Sequence, residues 1–298
     1  MPEYPDITIY IERLHHFIKG RQLQQIRIAS PFFLRTVDPP LELIKDLTLE
    51  DIERIGKRIV FVFSNEYFLV LHLMIRGRLH WHDAGYEIPK KRGLATLDFC
   101  NGTLLITEVS SKKRASLHLV KGREQLKSFD RGGLEMLEAS LKEFHKAIKA
   151  ENHTLKRTLT DPRILSGIGN AYSDEILHHA GLSPILQTKN LTKAQIEQLY
   201  VSIRIILTER TQWMQEEVGE GFPQKVTAFR DDMTVHGRYG RPFPKCGARV
   251  QRIRYSSNET NYCPGCQTGG KLLADRSLSR LLKQDWPRTP EELGELKG

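Results

Sequence analysis

Between residues 6 and 120 the apolar residues arrive in short runs or in alternation: RIVFVF (58–63), YFLVLHL (67–73), RLHWH (78–82), LATLDF (94–99) and TLLITE (103–108). Polar stretches such as SNE and CNG separate them. A period of two with breaks of this kind predicts short strands around a buried core. Ahead of them DITIYIERLHHFIKG (6–20) has helical spacing and stops at Gly20, which predicts an amphipathic helix. From about residue 135 the period lengthens to that of helices, in EMLEASLKEFHKAIKA, HTLKRTLTD, NAYSDEILHHAG and TKAQIEQLYVSIRIILTERTQWMQEEV. A cysteine-bearing β-hairpin is expected next, then an amphipathic helix in KLLADRSLSRLLKQDW and a polar tail. The fold class expected is therefore α+β. An N-terminal β-sandwich or barrel with one helix spans 1–125, a helical domain 135–234, the hairpin 235–270 and the last helix and tail 271–298. The boundary falls in KGREQLKSFDRGG, and no internal repeat is found.

Charge narrows the partner. The 45 Lys and Arg against 36 Asp and Glu give +9, which favours a polyanion, nucleic acid first. An acidic membrane surface competes, but no apolar run reaches the roughly 18 residues of a spanning helix and no signal peptide opens the chain. A cytoplasmic protein is expected, nucleoid-associated if bacterial. Three of the four cysteines, Cys246, Cys263 and Cys266, crowd into PKCGARVQRIRYSSNETNYCPGC, while Cys100 is isolated. A secreted disulfide framework is not spread this way, and the clustering points to a metal.

Two stretches stand out chemically. In SGIGN (166–170) two glycines permit a tight turn between helices, and Asn170 with backbone N–H groups opens the next helix, the usual setting for a phosphate. A plain glycine-capped helix turn is the alternative. The opening MPEYPD has two prolines and two carboxylates. Loss of Met1, expected because the next residue is small, frees Pro2 as a secondary amine beside Glu3.

MPEYPD, RIGKRIVF with Lys57, LTDPRILSGIGNAYSDEILHHAGLSP and VHGRYGRPFPKCG…NYCPGCQ resemble, in order, the four signatures of the Fpg/Nei family of DNA glycosylases. The resemblance covers nearly the whole chain. It implies that the helical domain is a helix-two-turn-helix and the hairpin a zinc ribbon. It also implies that Pro2 attacks the sugar carbon bearing a damaged base, forming an iminium that drives β-elimination. Glu3 is then the proton shuttle and Lys57 a phosphate contact and proton donor. Lys156 and Asn170 become phosphate binders, and Glu175 a carboxylate near the active site; as plain residues, Lys57 reads as an edge lysine and Glu175 as a solvated or capping acid.

The departures are equally specific. Phe243 stands where the family has its first zinc cysteine, so Cys246, Cys263 and Cys266 leave one corner of a Zn²⁺ tetrahedron open. His236 is a candidate to fill it; a metal-free ribbon packed around Phe243 is the alternative. Asn258 stands where the family finger has a phosphate-gripping arginine, with Arg252 and Arg254 near it. For the wedge that fills the void left by the flipped base, the chain offers Met74 or Ile75, and Arg114 followed by Ala115 with no aromatic; the SKKR stretch would still follow phosphate. The loop before the finger looks short for one that caps an oxidised purine. The expectation is a monomeric glycosylase and abasic-site lyase acting on double-stranded DNA with damaged bases or abasic sites. Its rivals are a non-catalytic damaged-DNA-binding protein and an abasic-site lyase or crosslink-processing enzyme with little activity on oxidised bases.

Overall fold

The computed structural model describes residues 1–110, 112–224, 226, 230, 232–255, 258–274, 287–289 and 292. The C-terminal helix expected over 271–286 lies, from residue 275 on, outside the described residues, as do the tail, apart from 287–289 and 292, and parts of the loop before the finger (225, 227–229 and 231). Two compact units emerge, Met1–Arg131 with Glu209–Ala228, and Gly132–Thr208 with Phe229–Gly298.

The first unit opens with α1 (Tyr4–Ile18), where Glu3 and Asp6 form a reciprocal capping box and Pro5 occupies the first turn. Its strands are β1 (Leu23–Ile28), β2 (Leu49–Ile55), β3 (Arg58–Phe63), β4 (Tyr67–His72), β5 (Gly77–His82), β6 (Gly93–Phe99), β7 (Gly102–Glu108) and β8 (Ser116–Lys121). They form two antiparallel four-stranded sheets, ordered β1-β6-β7-β5 and β2-β3-β4-β8. Ile7, Tyr10, Leu14 and Ile18 of α1 share one core with Phe61, Phe63, Leu69 and Leu71 of one sheet and Leu97, Phe99, Leu104 and Ile106 of the other. Of the β-sandwich or barrel carrying a helix that the alternation predicted, this is the sandwich. A short α2 (Arg123–Lys127) follows, and Val60, Val62, Phe68 and Val70 on the outer face pack with its Leu126. That explains why RIVFVF and YFLVLHL are apolar at consecutive positions rather than alternate ones. Phe222, from the segment that returns to this unit, packs against Tyr10 at 6.0 Å between ring centroids.

The second unit holds α3 (Leu141–Ala150), α4 (Leu155–Thr160), α5 (Asn170–His179) and the start of α6 (Lys193–Val218). The starts are legible: Ser140 and Glu143 make a capping box on α3, Thr154 caps α4, and Thr192 with Gln195 brackets the start of α6. Between α4 and α5 the chain turns through SGIGN, where Gly167 has φ +79 and Gly169 is the N-cap of α5. The hairpin of β9 (Gln251–Tyr255) and β10 (Asn258–Tyr262) leads into a one-turn α7 (Pro264–Gln267). A small core of Val235, Phe243, Val250 and Cys263 supports this region, so Phe243 is a packed residue.

Candidate active site and nucleic-acid interface

On the first unit, the site grows from the start of α1. Pro2 is buried, and residues Glu3 and Asp6 are 2% and 1% exposed. The Glu3 N–H donates to Asp6 Oδ2 at 2.8 Å, while Asp6 Oδ1 is buried without a hydrogen-bond partner. Burial pushes the Asp6 carboxyl up to about 6, the Glu3 N–H bond opposing it. The N-terminal amine, here on Met1, is held below its ordinary value, chiefly by burial; Glu3 and Asp6 oppose this, and the charges of Arg78 and Lys57 add to it. Lowering an amine's pKa enlarges its neutral, nucleophilic fraction at a given pH. Lys57, half-buried, occupies the second position of the two-residue turn joining β2 to β3, and Gly56 before it has φ +59, the positive first angle of a type II′ hairpin. Arg54 braces this corner: it donates to the Gly56 carbonyl at 2.9 Å and lies 4.5 Å over the Tyr4 ring. Pro2, Glu3 and Lys57 are thus set by one helix start and one hairpin turn.

Asp6 gives a direct test of that environment. Its folded pKa of about 6 lies above the ordinary 3.8, so the stability its protonated form contributes is full below about pH 4 and lost as pH rises through 6. Two pKa units correspond to about 3 kcal/mol. Unfolding free energy of the native sequence should therefore fall between pH 4 and 7 relative to that of Asp6→Asn, read from denaturant midpoints. Parallel pH profiles for the two proteins would contradict the assignment.

Two loops flank the unit's sheets. At the tip between β4 and β5, Met74 takes φ +53 and Ile75 is 49% exposed, so Ile75 is the side chain offered outward. In the SSKKRAS loop the buried Glu108 carboxylate accepts from the N–H groups of Arg114 (2.8 Å) and Ala115 (3.0 Å) and from Ser110 Oγ (2.6 Å). The Arg114 side chain is exposed on that organised turn, and Ala115 is buried.

On the second unit the organising residue is Asp174, which sequence reasoning passed over. Fully buried, it accepts from Lys156 Nζ at 2.5 Å, from the Asn261 N–H at 3.0 Å, and pairs with His236 Nδ1 at 2.8 Å. His236 thus gives Nδ1 to Asp174, and among the described residues the histidine grouped with Cys263 and Cys266 is His178 rather than the His236 expected from sequence. Lys156 also donates to the Asn170 carbonyl at 2.7 Å, tying α4 to the start of α5. Asn170 Nδ2 donates to the Glu259 carbonyl at 2.7 Å, tying α5 to β10. Glu175 is neither solvated nor a helix cap: buried, it accepts three backbone N–H groups, of Thr234 (2.8 Å), Val235 and His236 (both 2.9 Å). Lys156, the exposed Arg157, Asn170, Ile253, Asn258 and Thr260 line a cleft of 510 Å³. The β9–β10 register places Asn258 and Thr260 on the face of Ile253 and puts Arg252 and Arg254 on the other, with Glu259. Arg252 is further held by Glu259 at 3.2 Å and by the Tyr239 ring at 4.0 Å.

The cysteines come together. Cys246 Sγ lies 3.3 Å from Cys263 Sγ and 3.5 Å from Cys266 Sγ, a set that could hold a metal ion. Among the described residues no helix is long and apolar enough to cross a membrane.

A sandwich led by a capped helix, a helix-two-turn-helix and a cysteine hairpin define a class of DNA-repair fold. The family model of the formamidopyrimidine-DNA glycosylase N-terminal domain matches residues 1–120, and that of the formamidopyrimidine-DNA glycosylase H2TH domain matches 134–218. The formamidopyrimidine-DNA glycosylase of Desulfitobacterium hafniense is 30% identical over 286 residues, covering 90% of this chain and 100% of that protein. An uncharacterized formamidopyrimidine-DNA glycosylase-like protein of Mycobacterium tuberculosis is 38% identical over 151 residues, 51% of this chain and 94% of its own. The crystal structure of Lactococcus lactis Fpg non-covalently bound to DNA containing an AP site superposes with a TM-score of 0.77 at 25% identity, over 89% of this chain and 99% of that one. The chain belongs to the Fpg/Nei family of DNA glycosylases.

Proposed function

We propose that this protein is a DNA repair glycosylase with abasic-site lyase activity, acting through Pro2 once Met1 is removed. The observation that carries the reading is the buried start of α1, where Pro2 and Glu3 lie at a terminus acted on by the charges of Asp6, Lys57 and Arg78. The Pro2 nitrogen adds to C1′ of the damaged nucleotide and the base departs with a proton. The ring oxygen takes up a proton as the sugar opens, and Glu3 is the group suited to move it. The resulting iminium draws electrons from C2′; that carbon loses its proton, and the 3′ phosphate leaves with the C–O electron pair. Lys57 supplies positive charge for a phosphate beside the lesion.

Binding draws on Lys156, Arg157, Asn170 and Asn258 along the cleft, and on the basic loop carrying Arg114. Asp174 offsets part of the Lys156 charge, so Arg157 and Asn170 carry more of the phosphate contact than the sequence suggested. Ile75 is the wedge that fills the space of the flipped nucleotide. The domain roles follow: residues 1–125 supply the chemistry, and the helix-two-turn-helix and the finger hairpin grip the backbone.

The test is incision of a panel of duplexes carrying an abasic site, a formamidopyrimidine, an oxidised purine or an oxidised pyrimidine. Nicking at the abasic site and at one or more damaged bases is expected. Nicking at the abasic site alone would reduce the protein to a lyase, and tight binding without any nicking would leave a damaged-DNA-binding protein.

A further inference from the structure

The open corner of the cysteine cluster has an occupant that sequence spacing does not reveal. His178, on the last turn of α5, brings a ring nitrogen to Cys263 and Cys266, and these three donor atoms all lie within 4.8 Å of one another. Its Nε2 is buried and has no hydrogen-bond partner. A buried polar atom without a partner carries a desolvation penalty, and a metal ion beside two thiolates removes it. Cys246 completes the set at 3.3 and 3.5 Å from the other two sulfurs, where a tetrahedron with Zn–S of ~2.3 Å asks for ~3.8 Å.

The surroundings support the same geometry. Phe243 packs its ring edge-on to the His178 imidazole, 4.6 Å between centroids and 74° between planes. The aromatic residue that displaced a cysteine from the hairpin thus becomes the wall that orients the substitute donor. Gly265 lets the Cys263–Cys266 hook close: a Cβ there would stand 3.3 Å from Cys246 Sγ. The hook is fixed to the α5 side by Gln267, whose Oε1 accepts the Cys263 N–H at 2.8 Å and whose Nε2 donates to the Leu182 carbonyl at 2.9 Å.

We propose that His178, Cys246, Cys263 and Cys266 form a Cys3His site for one Zn²⁺, three ligands from the finger hairpin and the fourth from the helix-two-turn-helix. Zinc then fastens β10 and α7 to the C-terminal end of α5, the helix whose first residue, Asn170, reaches the cleft. The proposal stands apart from the glycosylase reading, since a chain without any lyase activity would hold the same ion.

Metal analysis of the full chain, purified under reducing conditions, should find one zinc per molecule, and X-ray absorption at the zinc edge should fit three sulfur ligands and one nitrogen. His178→Ala and the bulkier, polar His178→Gln should each weaken zinc in chelator competition. The loss should exceed ~100-fold, because removing even an outer-shell partner typically weakens a site 10- to 100-fold. His179→Ala, at the adjacent exposed histidine, should leave zinc affinity unchanged. Three sulfurs with only oxygen in the fourth place, no bound zinc, or undiminished affinity in both His178 variants would overturn the site.

Discussion

Borohydride added to the Met1-free protein and a duplex bearing an abasic site should convert a large share of the protein into a covalent DNA adduct. The adduct requires an imine, and an imine requires an unprotonated amine at the N-terminus. Removal of Met1 leaves Pro2, itself buried, at the terminus where burial and the positive charges of Arg78 and Lys57 hold the Met1 amine below its ordinary value. Glu3 and Asp6 oppose this without overcoming it. Replacing Pro2 by Gly together with Glu3 by Gln should cut trapping at least ~100-fold. Glycine replaces the secondary amine with a primary one on a flexible residue, and glutamine retains a helix-capping oxygen while losing the titratable carboxyl, so α1 keeps its start. The proton shuttle alone is worth about 10²- to 10⁴-fold in rate. If the Met1-free native sequence gives no adduct, or if the double variant traps as well, Pro2 is not the nucleophile.

Much of this was legible in the sequence where local rules decide structure. The helix over 6–20 ends within two residues of the observed Ile18, because the apolar spacing and Gly20 act within one turn. The Gly56 turn that sets Lys57, and the glycines that set Asn170, are likewise local. What could not be read depends on contacts between distant segments. SDE in NAYSDEILHH looks like a solvated helix face, yet Asp174 and Glu175 are buried because Lys156 from α4, Asn261 from β10 and the N–H groups of 234–236 converge on them. Asp174 and His178, one helical turn apart, turn the same face of α5 to the hairpin, and only the fold shows that this face meets cysteines. His236, the histidine the sequence offered to the open corner, is buried with Nδ1 on Asp174, while His178 is the one grouped with Cys263 and Cys266. The return of residues 209–228 to the first unit was similarly hidden, since α6 is one unbroken helical pattern.

The last expectation concerns where the reaction stops. After β-elimination the 5′ phosphate remains on the opened sugar, and expelling it requires charge neutralisation at that phosphate together with a proton donor. An arginine fork supplies the charge; Asn258 supplies only neutral hydrogen bonds, roughly half as strong as charge-assisted ones. Two neighbouring arginines do not replace it. Arg252 and Arg254 project from the opposite face of the β9–β10 ribbon, and Arg252 is already bound to Glu259 and stacked on Tyr239. The exposed Asn258 shares the cleft with Lys156 and Arg157, but Lys156 is held by Asp174. The protein should therefore release mainly the β-product, a strand ending in a 3′ unsaturated aldehyde. Asn258→Arg should raise the share of 3′ phosphate, with trapping at Pro2 unchanged because that step comes first. Denaturing gels separate the two ends: a predominantly phosphate-ended strand from the native sequence would refute the argument, as would an Asn258→Arg variant whose product ratio does not move.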